Sequence, residues 1–309
     1  MAMGSSSNQV DQCDPGSDVR EVAAGVVRGR IDTVWRLLQK SSQPRRLRPE
    51  DVHQLRVATR RALVALEVFG ERFPSGRREW FERQLRRIRK TAGEARDLDV
   101  LTARLEEDRG GSATRRGPGD GSERLLTMLQ KQRDASRRPI GDVHAKLVDQ
   151  DWPSRLDEMI ARVRGGRRTS FERHVRRRLP PIIERFFSLA DRKARGAEDL
   201  HELRIEGKKL RYALEMCGAV LPSQAMSRCH ESLEQLQKRL GKFTDHAAAA
   251  DRFRRWSKRK AVRCSRTAIA ALVRRETKLA DAAQRDFARW WKRSRRRGLR
   301  RRFERMLGG

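Results

Sequence analysis

"EDVHQLRVATRRALVALE" (residues 50–67) and "EDLHELRIEGKKLRYALE" (residues 198–215) are two writings of one pattern, 148 positions apart in a chain of 309 residues. His53 falls on His201, Leu55 on Leu203, Arg56 on Arg204, Val57 on Ile205, Arg60 on Lys208 and Arg61 on Lys209. Ala65, Leu66 and Glu67 then fall on Ala213, Leu214 and Glu215. Six of the 17 positions from 53 to 69 are identical. The same ungapped shift carries Leu85 to Leu233, Lys90 to Lys238, Gly93 to Gly241 and Asp97 to Asp245, so one register spans several helices. The period is far longer than that of a solenoid repeat. It predicts a duplicated bundle with pseudo-two-fold symmetry.

Both copies are amphipathic. At about 100° per residue, Leu55, Ala58, Ala62, Leu66 and Phe69 share one face of the first copy, and His53, Arg56 and Arg60 form a stripe opposite them. In the second copy Leu203, Leu210, Leu214 and Cys217 make the apolar face, and His201, Arg204, Lys208 and Arg211 the stripe. Arg61 and Lys209 flank the stripes. A solvated basic face is the ordinary reading of such a stripe. Two features weigh against it here: Val57 and Ile205 recur within the stripe at equivalent positions, and the cations persist in both copies while much else differs. Cations one helical turn apart, about 5.4 Å, suit a linear polyanion, and arginine adds a planar fork for phosphate oxygens. Two such stripes facing each other predict a basic central cleft.

The rest of the chain agrees with an all-α fold. Strand and hairpin signals are almost absent, and helical periodicity is nearly continuous. Helices are expected at about 18–41, 50–70, 76–94, 97–109, 123–149, 153–164, 168–191, 198–218, 222–242, 245–261 and 265–306, the last with a candidate break near Gly298, and with a kink at Pro180 and Pro181. Gly93 with Asp97, and Gly241 with Asp245, read as a helix end followed by an N-cap. "GGSATRRGPGDGS" (110–122) and "GGRR" (165–168) read as breaks. Residues 1–17 read as a disordered leader, 18–295 as the folded domain (halves at about 18–164 and 168–295), and 296–309 as a basic tail. The stretch "ARWWKRSRRRGLRRRFERML" (288–307) reads as a last helix packed by Trp290 and Trp291, with its arginines wet.

Lys and Arg number 73 against 41 acids, a net charge of +32. Such a balance calls for a polyanionic partner: nucleic acid, an anionic membrane surface or polyphosphate. No apolar run is long enough for a membrane span. The four cysteines form no CxxC pair and read as reduced thiols of a cytoplasmic protein. No phosphate-binding glycine loop, HExxH or Ser-His-Asp signature is present. The two histidines lack partners at metal-ligand spacing. No metal, cofactor or catalytic residue is therefore expected.

The motif His-x-Leu-Arg-Val/Ile-x-x-basic-basic, written twice and followed by "GEARDLDVL" (93–101) and "GKFTDHAAA" (241–249), resembles the CHAD (conserved histidine α-helical domain) family over about residues 18–295. The resemblance implies an all-helical domain, a duplicated pair of four-helix-like bundles around a basic central cavity, that binds inorganic polyphosphate and gathers at polyphosphate granules. It implies contacts from His53, Arg56, Arg60, Arg61 and Lys90 in the first half. In the second half it implies His201, Arg204, Lys208, Lys209, Arg211 and Lys238. Leu63 stands where the second copy has Arg211, and Thr244-Asp245 where the first has Arg96-Asp97, so the first half is expected to grip less strongly. The competing expectation, from charge alone, is a non-specific nucleic-acid-binding protein.

Overall fold

The computed structural model describes residues 14–43, 48–111, 122–163, 168–192, 196–258 and 266–308. The cores of the two expected breaks, and residues 1–13 of the expected leader, lie outside them. Among the described residues there are ten α-helices and no strand beyond an isolated bridge. None of the helices is long and apolar enough to cross a membrane.

The first half runs α1 (Val19–Ser41), α2 (Pro49–Phe69), α3 (Ser75–Gly111), α4 (Ser122–Asp149) and the short α5 (Trp152–Ala161). The second runs α6 (Phe171–Ala190), α7 (Ala197–Cys217), α8 (Ser223–Ser257) and α9 (Arg266–Trp290), followed by α10 (Arg293–Gly308). The order and lengths repeat. The two helices that carry the quoted motif are each 21 residues long, and each ends in a three-residue 3₁₀ turn that begins at a glycine, Gly70 or Gly218. From α1 to α5 and from α6 to α9 consecutive helices pack as neighbours, and α2 packs directly on α7.

Local chemistry sets the helix starts. The Asp18 carboxylate accepts from the Arg20 amide at 2.9 Å, and the Ser170 hydroxyl accepts from the Arg173 amide at 3.3 Å, which satisfies first-turn donors of α1 and α6. The two starts are also tied to each other: Val19 N–H donates to Thr169 O (3.1 Å) and Phe171 N–H to Ser17 O (2.9 Å). Residues 14–17, expected in the leader, are thereby fixed onto the second half. Asp151 caps α5 from a left-handed backbone (φ 51°), its carboxylate accepting from the Ser154 amide.

The buried side chains form two clusters. The larger joins both halves and runs from Val19 and Ile31 through Leu55, Phe69 and Phe81 to Phe186, Leu214, Leu236 and Phe303. The smaller lies at the far ends of the long helices: Leu98, Leu101 and Leu105 of α3, Leu125 and Leu129 of α4, Phe253 and Trp256 of α8, and Ile269 and Leu272 of α9. Both clusters depend on α3 and α8 being continuous. The expected breaks after Gly93 and Gly241 do not occur, because α3 and α8 run through them. A mid-helix glycine costs about 1 kcal/mol relative to alanine, so each of these two asks for a packing reason; that of Gly93 is given below. Conversely, the span over 265–306, expected to break near Gly298 if anywhere, divides at Trp291–Lys292, and α10 runs through Gly298. The helix α6 runs through Pro180 and Pro181.

Most of the expected basic tail is α10, a docked helix. Leu299, Phe303 and Met306 are buried, the helix packs on α6 and α8, and the Phe303 ring meets Phe187 edge-on at 5.8 Å. Trp291 is buried and Trp290 stacks on it. Phe303→Ala should therefore lower stability by about 3–5 kcal/mol, the usual cost of emptying a buried aromatic site. Chemical denaturation would show it, whereas a loose tail would leave the midpoint unchanged.

Candidate functional site

The repeated helices meet at the centre of the molecule, and a set of reciprocal contacts joins them. The Arg61 guanidinium of α2 pairs with Glu215 of α7 at 3.1 Å. Lys209 of α7, the counterpart of Arg61, lies 4.0 Å from Glu67 of α2, the counterpart of Glu215. The same exchange holds nearer the start of the two helices: the His53 imidazole feels the Lys208 ammonium, and the His201 imidazole feels the Arg60 guanidinium. The charge contacts between the two helices are thus reciprocal.

These contacts sort the expected site residues. Arg61, Lys209 and Arg211 have carboxylate partners. Arg61 holds Glu215 and lies over the Tyr212 ring (5.3 Å). Arg211 holds Glu215 at 2.8 Å and Gln237 at 3.1 Å, and covers the same ring (4.8 Å). Lys209 pairs closely with Glu206 (2.8 Å). Their charge is largely neutralised, and they join the helices.

The remaining stripe residues have less compensation, and Arg204 alone of them reaches a carboxylate among the described residues. Among the described residues, Arg60 and Lys208 have no carboxylate within ion-pair distance, and both are half-buried. Arg56 donates to the Arg89 carbonyl (3.0 Å), and Arg204 reaches Asp245 at 3.4 Å. Burial and then the neighbouring Arg56 pull Arg60 down to about 10. Burial and then Arg204 and Arg60 push Lys208 down to about 7. Burial lowers His53, helped by Arg96, and lowers His201, helped by Arg204. Every one of these shifts disfavours added positive charge, because like charges are held together partly out of water.

Lys90 and Lys238 are not brought to this place. Both are exposed, and neither is among the main charges acting on the perturbed stripe residues. The reason is rotational: each lies two residues after a buried core position, Ile88 or Leu236, so about 200° away from the core side. Their predecessors, at about 100°, turn toward the stripes. Arg89 is half-buried and adds to the field on Arg56 and Arg60, and Gln237 bonds Arg211 and the Gly207 carbonyl. Arg96 also faces inward, beside His53 and Arg56. Neither Arg89 nor Arg96 is among the residues expected from the sequence, although counting from Ile88 places both on that side.

Of the two mid-helix glycines, Gly93 has a packing reason. A Cβ on Gly93 would stand 2.5 Å from the Arg56 guanidinium, whereas one on Gly241 would clear Arg204 by 3.8 Å. Gly93 lets an arginine lie flat on the α3 backbone and reach its carbonyl. Glu67 and Glu215 hold cations in place by ion pairs.

The cations form a half-exposed basic face at the α2–α7 junction. A recess of about 300 Å³ beside it, shared through Arg96, is lined by mixed charge from α3 and α4: Arg104 and Arg133 against Asp99, Glu106 and Glu107. Its polarity suits no single charge, so the basic face is the stronger candidate. No cluster of three or more metal-ligating side chains occurs among the described residues. Chemically, the face offers recessed guanidinium and ammonium donors in a row, suited to a chain of anionic oxygens.

The family model described as CHAD domain matches residues 31–254, which include α2, α3, α7 and nearly all of α8. Two solved structures share the fold. The CHAD domain of the plant Ricinus communis is 20% identical, with a TM-score of 0.66 over 89% of this chain and 93% of that one. PptA from Streptomyces chartreusis is 15% identical, with a TM-score of 0.60 over 89% of this chain and 100% of that one. A sequence search of curated proteins finds no match.

The two glycines give a paired test. Both alanine variants should fold at least as stably as the parent, since alanine favours a helix interior and the Arg56 tip can swing away. Gly93→Ala, which displaces Arg56, should weaken tripolyphosphate binding in isothermal titration several-fold, and Gly241→Ala should not. Equal affinities would show that Arg56 placement is irrelevant to the face.

Proposed function

The chain belongs to the CHAD domain family, and from that premise we propose that it is a non-enzymatic binder of inorganic polyphosphate, held along the basic face between α2 and α7. Binding of this kind would place the protein at polyphosphate granules. One observation carries the reading: Arg60 and Lys208, on the two repeated helices, are half-buried, crowded by Arg56 and Arg204, and without a carboxylate partner among the described residues. Unneutralised charge gathered out of water destabilises the compact state. A bound polyanion removes that cost, so the protein is prepared for one.

The shape of the charge favours a thin phosphate chain. The recessed cations can be reached by an unbranched chain whose every unit carries oxygens. A duplex presents its phosphates on the rim of a wide cylinder and would meet the exposed edge first. His53 and His201, flanking Arg60 and Lys208, add donors at the ends of the row and take up protons when an anion arrives. Arg61, Lys209 and Arg211 keep the row rigid through Glu67 and Glu215, which reduces the ordering cost of binding. The face gathers cations instead of the acid clusters that metal-assisted phosphate cleavage uses.

The test removes four cations from two places. One variant carries Arg56→Ala, Arg60→Ala, Arg204→Ala and Lys208→Ala. The control carries Arg124→Ala, Lys131→Ala, Arg138→Ala and Lys146→Ala, all exposed on α4 with no carboxylate partner among the described residues. Charge-assisted hydrogen bonds contribute about 1.5–3 kcal/mol each, so the first should lose at least about a hundredfold in affinity for long-chain polyphosphate. The control should lose only the long-range part. Excess duplex DNA at physiological salt should leave labelled polyphosphate on the parent protein. Equal losses in the two folded variants would move the site elsewhere, and displacement by duplex would favour the nucleic-acid reading.

A further inference from the structure

The helix α10 lies beyond the family match at residues 31–254 and carries a second arrangement of charge. Its inner stripe is Leu299, Phe303 and Met306, all buried. On the opposite side Arg293, Arg297, Arg301 and Arg305 recur every four residues, and all four are exposed. None of the four has a carboxylate within ion-pair distance among the described residues. The flanking arginines behave differently: Arg296 pairs with Asp191 (3.7 Å), and Arg300 with Glu184 (3.0 Å) and Asp191 (3.2 Å). The flank is thus neutralised and anchors the helix, while the outward stripe keeps its charge. The end of α9 is fixed beside it by the Trp290 ring, which has Arg239 at 5.0 Å and Arg295 at 4.7 Å.

We infer that the outward face of α10 is a second anion site, separate from the α2–α7 face, and that its occupant is double-stranded nucleic acid held by its phosphate backbone. A helix rises about 1.5 Å per residue, so the stripe spans about 18 Å. Over that length a duplex presents about ten phosphate charges, one per 1.7 Å of axis, enough to meet four arginines. Arginine suits phosphate through its planar fork and stays charged. Ser294, Gly298, Glu304 and Gly308 share the stripe's side and none is a long donor, while the exposed Arg295 and Arg302 beside it are held by Trp290 and Ser232, so the stripe meets the phosphate backbone and binding is indifferent to sequence.

A membrane surface fits less well. An interfacial helix needs an apolar face free to insert, and the apolar face of α10 is spent on the core. The exposed large hydrophobic residues, Val148, Ile205 and Leu279, all lie on other helices. A flexible phosphate chain fits a convex rod less well than a duplex, because it must be ordered unit by unit on an open surface. With the two sites on different helices, the protein can hold a duplex on α10 while the α2–α7 face is occupied.

The test is a salt titration of a short fluorescent duplex by anisotropy. The variant combines Arg293→Ala, Arg297→Ala, Arg301→Ala and Arg305→Ala. These positions face away from the core and alanine favours helix, so circular dichroism should be unchanged. The parent should bind with a steep salt dependence. The variant should bind at least about tenfold more weakly. Its slope of log K against log salt should be shallower by roughly three, since each phosphate that is no longer neutralised takes away about 0.9. The variant lacking Arg56, Arg60, Arg204 and Lys208 should keep its salt slope for duplex. Unchanged duplex affinity and slope in the folded α10 variant would overturn the inference. So would a flattened slope in the α2–α7 variant, or a parent that binds phosphatidylserine vesicles and no duplex. Failure of polyphosphate binding would leave all these readouts intact, which keeps the two assignments separable.

Discussion

Two helices that both carry an excess of cations are packed against each other at the centre of this protein, and the rest of the structure follows from how that repulsion is managed. At one end of the contact it is cancelled by exchange: Arg61 takes Glu215 and Lys209 faces Glu67. At the other it is left standing, on Arg60 and Lys208 with Arg56 and Arg204 beside them. One pKa unit is about 1.4 kcal/mol, so keeping Lys208 protonated where it would titrate near 7 costs several kcal/mol at the order-of-magnitude level. Hydrophobic residues would pack there at less cost. A paired end that aligns the helices and an unpaired end that awaits an anion are two parts of one arrangement.

The surrounding fold supplies what that arrangement needs. The apolar faces of α2 and α7 enter a core shared by both halves, so the repulsive contact cannot relax by the halves separating. The long helices α3 and α8 pass beside the junction and end in a second apolar cluster with α4 and α9. There Arg104, His246 and the buried Glu276 tie α3, α8 and α9 together. Along α3, Gly93 opens a flat place where Arg56 lies. A glycine that weakens a helix locally is tolerated because the same helix is held at both ends.

Much of this is legible in the residues. The repeated motif announces two equivalent helices, and the angular separation of Leu55 from His53 and Arg60 places the stripes opposite the core. What a single-helix projection cannot give is the neighbour. Lys90 and Lys238 look like ligands because they recur, yet recurrence also marks a solvated position, and only the register of Ile88 and Leu236 shows that their predecessors face inward. Gly93 and Gly241 read as helix ends because glycine often ends helices, and the guanidinium that justifies Gly93 comes from a residue 37 positions earlier. Arg61 and Lys209 look like further ligands for a similar reason: their partners lie across the repeat. At the arginine-rich end Trp290 and Trp291 announce packing, but charge hides the short apolar stripe of Leu299, Phe303 and Met306 that docks α10, so residues 296–309 read as a tail.

The claim that the α2–α7 junction stores unneutralised charge for an anion can be read at one atom. The Lys208 ammonium, assigned by the disappearance of its signal in Lys208→Arg, can be followed by nitrogen-detected magnetic resonance through a pH titration, with and without long-chain polyphosphate. The account predicts a midpoint near 7 in the free protein and a rise of more than about one unit when the chain binds, because an adjacent negative charge favours the protonated form. An ordinary lysine midpoint in the free protein, or a depressed one that polyphosphate does not move, would contradict it.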